Sequence, residues 1–180
     1  MLGLMQSQPL LISSMIEFAE RHHGDAEIVS RRVEGDIHRY TYRDLAARAR
    51  RLANALDAQQ LQFSDRVATL AWNGYRHMEM YFGVSGSGRV LHTINPRLHP
   101  DQIAWIVNHA EVQVLCFDMT FLPLVQAVHA KCPTVKQWVA LCDADKLPAD
   151  SGIPGLLIYE AWIGAQSADY SWPEFDENSA

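Results

Sequence analysis

Four short apolar runs, over residues 66–72, 89–95, 112–118 and 135–141, recur at nearly even spacing, and a stretch of helical periodicity separates each from the next. Few folds satisfy that pattern. Apolar runs of this length suit strands buried on both faces, and strands alternating with amphipathic helices pair in parallel through right-handed crossovers. The helices are predicted over residues 75–87, with Met78, Tyr81 and Phe82 in register, and after Pro100, with Ile103, Ile106, Val107 and Ala110 at i, i+3, i+4 and i+7. A third carries Phe121, Leu124, Val125 and Val128. Proline suits the opening of the second, because a first-turn N–H has no helical partner to lose. The expected fold class is α/β: an open, mainly parallel sheet flanked by helices.

Before the repeats, residues 1–25 read as an arm and a helix, with Ile12, Met15, Ile16 and Ala19 on one face. Residues 26–42 read as a small β-hairpin turning at Glu34-Gly35-Asp36. Thr41 and Asp44 have capping-box spacing, and Leu45, Ala49, Leu52 and Leu56 follow as one stripe. Arg43, Arg48, Arg50 and Arg51 fall mostly off that stripe and are expected to be solvated. The chain thus divides into an arm, helix and hairpin over 1–60, βα repeats over 66–142 and an irregular connector over 143–180. Within the connector, residues 156–164 are expected to form a short helix, and the acids Asp143, Asp145, Asp176 and Glu177 to be solvated.

The glycines of residues 83–88 invite a phosphate-loop reading that their setting contradicts. Such a loop follows a strand and opens a helix, so that backbone N–H groups and a lysine meet the phosphates. Gly83, Gly86 and Gly88 instead close a helix and lead into a strand, and none of the three lysines, Lys131, Lys136 and Lys146, follows a glycine. They are expected to end the helix and let it pack closely. The eight histidines include no HExxH and no cysteine partner at zinc spacing. Cys116, Cys132 and Cys142 form no CxxC pair and read as buried free thiols in a reducing compartment. A formal charge of −6 lacks the footprint of nucleic-acid binding, and no apolar run is long enough to span a bilayer. No catalytic constellation emerges from the residues alone.

One stretch is more specific. Asp65 to Asp118, with Asp65-Arg66-Val67, Trp72-Asn73, Tyr75-Arg76-His77, Gly83, Gly86 and above all "VLHTINPRL" from Val90 to Leu98, resembles the N-terminal part of the adenylate-forming enzymes. Within them it looks most like bacterial fatty-acyl-CoA synthetases of the medium- to long-chain kind, and the likeness extends over roughly residues 10–178. Arg39 to Leu45 matches the family's earlier helix entry. Two positions depart from the family pattern: Ser64 stands where glycine is frequent, and Arg89 where a small residue is usual. Arg89 is expected to crowd the helix-to-strand junction unless it reaches solvent.

The resemblance implies a fragment of the N-terminal subdomain of the adenylate-forming fold. The parent would be a ligase that joins a fatty acid to coenzyme A through an acyl-adenylate, using ATP, Mg²⁺ and CoA. The family's phosphate loop, its magnesium-binding Thr-Glu pair and its lid lysine do not occur in these residues, so the fragment is expected to be inactive alone and to bind none of these cofactors tightly. Arg97, at the matching Asn-Pro-Arg position, is the one candidate carried over, as a contact to coenzyme A phosphates; pairing with Asp101 is its alternative. A homodimer, and a cytoplasmic protein with peripheral membrane contact open, complete the expectation. A non-catalytic dimerisation module of the same fold is the rival reading, and an NAD- or FAD-binding domain a weaker third.

Overall fold

The computed structural model of the chain describes residues 3–4 and 7–179, so residues 1, 2, 5 and 6 of the expected arm lie outside the described residues. Helix α1 (Ile12–His23) leads into a hairpin of β1 (Glu27–Arg31) and β2 (Ile37–Thr41), paired antiparallel with Glu27 opposite Thr41. Helix α2 (Tyr42–Ala58) starts at the anticipated capping box: the Asp44 N–H donates to Thr41 Oγ1, and Asp44 accepts from the Thr41 N–H. Then come β3 (Arg66–Leu70), α3 (Tyr75–Gly86), β4 (Val90–Thr93), α4 (Pro100–His109), β5 (Val114–Phe117), α5 (Leu122–Val128), β6 (Gln137–Ala140), β7 (Leu157–Ile158) and α6 (Tyr159–Gly164).

The five later strands form one parallel sheet in the order β4-β3-β5-β6-β7. Successive strand residues point to opposite faces, and the buried side chains sort accordingly. Ala68, Leu70, Leu115, Phe117, Trp138 and Ala140 pack with α4 and α5, while Val67, Val114, Cys116, Val139 and Leu141 pack with α2, α3 and α6. Both faces are covered, which is why the strands read as unbroken apolar runs. A third cluster, built on Ile16, Tyr40, Leu45 and Tyr75, joins α1 and the hairpin to the outer side of α2 and α3.

Several expectations need correction. Residues 156–164 are a strand and a helix: β7 adds a fifth strand through only two bridged residues, too few for a periodicity to register. In α3 the phase is different. Tyr81 is exposed, while His77, Met80, Gly83 and Val84 face inward, because α3 lies between α2 and the sheet and buries polar residues with apolar ones. In α1, Ile16 and Ser13 are buried, but Met15 and Ile12 are exposed. The glycine reading holds: a Cβ on Gly83 would stand 2.8 Å from a Leu52 methyl, and Gly88 turns the chain with φ +77°. Ser64 adopts φ +63°, a left-handed conformation that explains glycine's frequency at that position.

Candidate functional site

In an open parallel sheet the ligand crevice lies outside the carboxyl ends of the strands, where the strand order reverses. Here β3 connects outward to β4, and the chain then returns past β3 to β5, so the reversal falls between β3 and β5. The loop Trp72-Asn73-Gly74 leaves β3 and Asp118 leaves β5, side by side. Asp118 is buried and accepts the Trp72 N–H at 2.6 Å, pinning the two loops together. Burial pushes its carboxyl up to about 6, against the pull of that hydrogen bond and of Arg76. His77, on the first turn of α3, is also buried; its ring reaches Thr69 Oγ1 at 3.1 Å and the Trp72 carbonyl at 3.2 Å, and desolvation holds its pKa below the ordinary value.

Beside this point the crevice is filled by charge. Arg76, only 4% exposed, donates to Glu34 Oε1, Asp143 Oδ1 and Glu160 Oε1, each at 2.7 Å. Glu160 also accepts from Arg48 at 2.9 Å and from the Tyr75 hydroxyl at 2.8 Å. Arg48 in turn donates to Glu79 at 2.7 Å, and Arg32 joins Asp143 to Asp36. Glu79 is fully buried; desolvation pushes its pKa up to about 7, with Arg48 and the Tyr159 hydroxyl pulling against that shift. This cluster corrects two readings. Arg48 and Arg50 are not solvated, since Arg48 is paired as described and Arg50 pairs with Glu20. Asp143 is not a free loop acid. Glu177 also has a partner, accepting the Leu10 N–H. The solvated reading failed because it treated α2 as having a single buried face.

Arg89 does not reach solvent either. It is buried, and its guanidinium donates to Asp57 at 2.6 Å and the Leu61 carbonyl at 2.7 Å, so the junction holds the larger side chain by giving it acceptors. Arg97 lies exposed in the loop after β4, on the carboxyl edge of the sheet, and its guanidinium has no ion-pair partner among the described residues. The alternative partner Asp101 is held by Lys131 at 2.7 Å. All three cysteines are free and buried, which pushes the Cys132 and Cys142 thiols up to about 11 and removes them as nucleophiles. No cluster of His, Cys, Asp or Glu among the described residues could hold a metal ion, and no described helix is long and apolar enough to cross a membrane.

Two adjoining hollows open at the β3 turn. A groove of about 300 Å³ runs between β1 and α3, lined by Ile28, Val29, Met78 and Tyr81. A small cleft of about 40 Å³ lies next to it, lined by Arg31, Arg32, Arg76, Trp72 and Asp118, and the two share Asn73, Gly74, Tyr75 and His77. The cluster and Asp118 escaped sequence reasoning because their partners are distant in the chain; the inward phase of Arg76, His77 and Glu79 on α3 was the available signal.

Residues 16–165 match the family described as AMP-binding enzyme. The chain is 49% identical, over 180 residues, to a 3-methylmercaptopropionyl-CoA ligase of Ruegeria lacuscaerulensis, covering all of this chain and 33% of that protein. It is 45% identical over the same 180 residues to a medium-chain-fatty-acid–CoA ligase of Ectopseudomonas oleovorans, again covering 33% of the relative. A crystal structure of a Brucella canis acyl-CoA synthetase shares the fold, with a TM-score of 0.75 at 14% identity over 98% of this chain and 31% of that one. The chain therefore spans about a third of the length of the curated relatives it matches.

Proposed function

Because this chain belongs to the AMP-binding enzyme family, we propose that it is the N-terminal part of a fatty-acid–CoA ligase, which joins a carboxylic acid of medium to long chain to coenzyme A with ATP cleaved to AMP and pyrophosphate. The observation that carries this reading is identity of 45–49% along the whole chain to two acyl-CoA ligases. The residues present do not fit ATP or its magnesium: the glycine-rich stretch is a helix-to-strand junction, and no acidic cluster among the described residues suits a cation. On this reading the rest of the parent activates the carboxylate, and this chain alone is expected to form no acyl-adenylate.

What these residues supply is a rigid floor. Asp118 fixes the β3 turn, the Arg76 cluster fills the crevice beside it, and Arg97 projects from the same edge, its guanidinium without an ion-pair partner among the described residues. A guanidinium free to fork onto phosphate oxygens suits the coenzyme A phosphates, which supply no chemistry but hold the thiol's carrier in place. The reading extends to a cytoplasmic protein and to a homodimer, the dimer supported by the exposed stripe of Ile12, Met15 and Phe18 on α1.

The full-length parent, assayed with octanoate, ATP and coenzyme A, is expected to form octanoyl-CoA. With Arg97→Ala, the KM for coenzyme A is expected to rise severalfold while octanoate-dependent pyrophosphate exchange stays unchanged. An unchanged KM removes Arg97 from the coenzyme A site. A parent that forms no acyl-CoA with any aliphatic acid identifies instead a non-catalytic dimerisation module of the same fold.

A further inference from the structure

The tail after α6 folds back along α1, and the two enclose a hollow remote from the β3 turn. Asn54 donates to the Ser167 and Asp169 carbonyls at 2.9 Å, the Trp172 ring packs over Gly86, and Glu177 accepts the Leu10 N–H at 2.6 Å, so the tail is tied at three points. Gly86 closes α3, about 16 Å along that helix from its start at the β3 turn. Between the beginning of α1 and residues 172–174 lies a hollow of about 150 Å³. That is the liquid volume of about five waters, room for a molecule of about six heavy atoms. Its polar lining has two halves. On one side are donors. Helix α1 has no side-chain cap at Leu11 and no acid in its first turn, so its leading N–H groups lack a partner from a cap. Ser13 is only 5% exposed and lines the hollow, and its hydroxyl has no hydrogen-bond partner among the described residues. The indole N–H of Trp172, which forms the opposite wall, is also without an acceptor. On the other side stand Glu17 and Glu174, neither in an ion pair or hydrogen bond among the described residues. Arg50 is attracted by Glu17, but both its terminal nitrogens are held by Glu20. An open helix start favours an anion, and two unpaired carboxylates favour a cation. A lone anion would meet the glutamates and a lone cation the helix start, whereas a small zwitterion satisfies both halves.

We propose that this hollow is a site for a small free α-amino acid, its carboxylate on the Ser13 hydroxyl and the leading N–H groups of α1, and its ammonium between Glu17 and Glu174. The volume leaves room for a side chain of about one or two heavy atoms, so glycine, alanine and serine are the class. The site lies away from the sheet edge that carries Arg97 and does not depend on the ligase reading.

The test is a titration of the 180-residue chain with L-alanine, followed by amide and indole N–H chemical shifts. Propionate, which lacks the ammonium, and isopropylamine, which lacks the carboxylate, are the controls. Saturable shifts confined to residues 11–17 and 172–174 and to the Trp172 indole are expected, with a millimolar Kd for alanine and both controls at least about tenfold weaker. Ser13→Ala, which removes one hydroxyl and no packing, is expected to weaken alanine about tenfold. Glu17→Gln with Glu174→Gln, at exposed positions where folding is not at risk, is expected to reduce alanine to the affinity of propionate. Absence of saturable shifts, a control that binds as tightly as alanine, or either variant binding alanine like the unmodified chain would each overturn the site.

Discussion

At the scale of single residues, the side chains that matter most are charged and buried, and their environments fix their behaviour. Asp118 is buried inside the sheet edge, and desolvation pushes its carboxyl up to about 6 from 3.8, against the pull of the hydrogen bond it accepts from the Trp72 N–H. A carboxyl held more tightly protonated in the fold than in the unfolded chain favours folding at low pH. That contribution is fully present below about 3.8 and is lost as pH rises through about 6. Asp118→Asn keeps an acceptor for the Trp72 N–H and removes the titration. The stability of the unmodified chain relative to this variant is expected to fall by about 2–3 kcal/mol between pH 4 and 7 in urea denaturation; parallel profiles would show that Asp118 is ionised without penalty. Residues of this kind are the part of the site least legible in sequence. Arg48 read as a surface cation, and Arg89 as a side chain that would crowd its junction, because nothing local reveals their partners Glu160 and Asp57, which lie 112 and 32 positions away. The place of Arg97 in an exposed loop after β4 was legible, because the stretch around it is contiguous and follows a clear strand.

At the scale of elements, the amphipathic stripe of α2 was plain from sequence, with Leu45, Ala49, Leu52 and Leu56 all buried, and so were the four main strands. Helix α3 was assigned its extent but not its phase. A helix packed against both another helix and a sheet has two buried flanks, and a search for one apolar stripe finds only part of them: Met78 and Phe82 pack against the third cluster, while Tyr81 is exposed. Gly83 marks the true contact. A side chain there would press on a Leu52 methyl at 2.8 Å and the Ala49 carbonyl at 2.9 Å, so α2 and α3 approach only because the position is bare. Alanine in a helix interior ordinarily stabilises by up to about 1 kcal/mol over glycine. Here Gly83→Ala is expected to reverse that sign and cost about 1–3 kcal/mol, because backbone oxygen cannot yield as a side chain can. A shift of the denaturation midpoint to lower urea checks it, and a stabilised variant would mean that the helices part without penalty. Strand β7 was invisible to periodicity, since two residues define no period.

At the scale of the whole molecule, the sheet is covered on both faces, and α1 carries an exposed apolar stripe on which Met15 and Phe18 are 61% and 59% exposed together with Ile12. Two such stripes packed across a two-fold axis would cover one another. The chain is expected to run as a dimer by light scattering, and Met15→Glu with Phe18→Glu to give a folded monomer, since neither side chain supports the core. A monomeric mass for the unmodified chain would remove the dimer. The Arg76 cluster also sets an order of events during synthesis. It closes only when Glu160 is available, 84 residues after Arg76 and 112 after Arg48. A ribosome adding about 5–20 residues per second leaves both arginines without that carboxylate for several seconds. During that interval the hairpin can form its own ladder and reach α3 through Glu34 and Ser30, but Arg48 and Arg76 lack the carboxylate that joins them to each other. The pairing of Arg48 with Arg76 through one carboxylate is thus among the last contacts of the amino-terminal half to form.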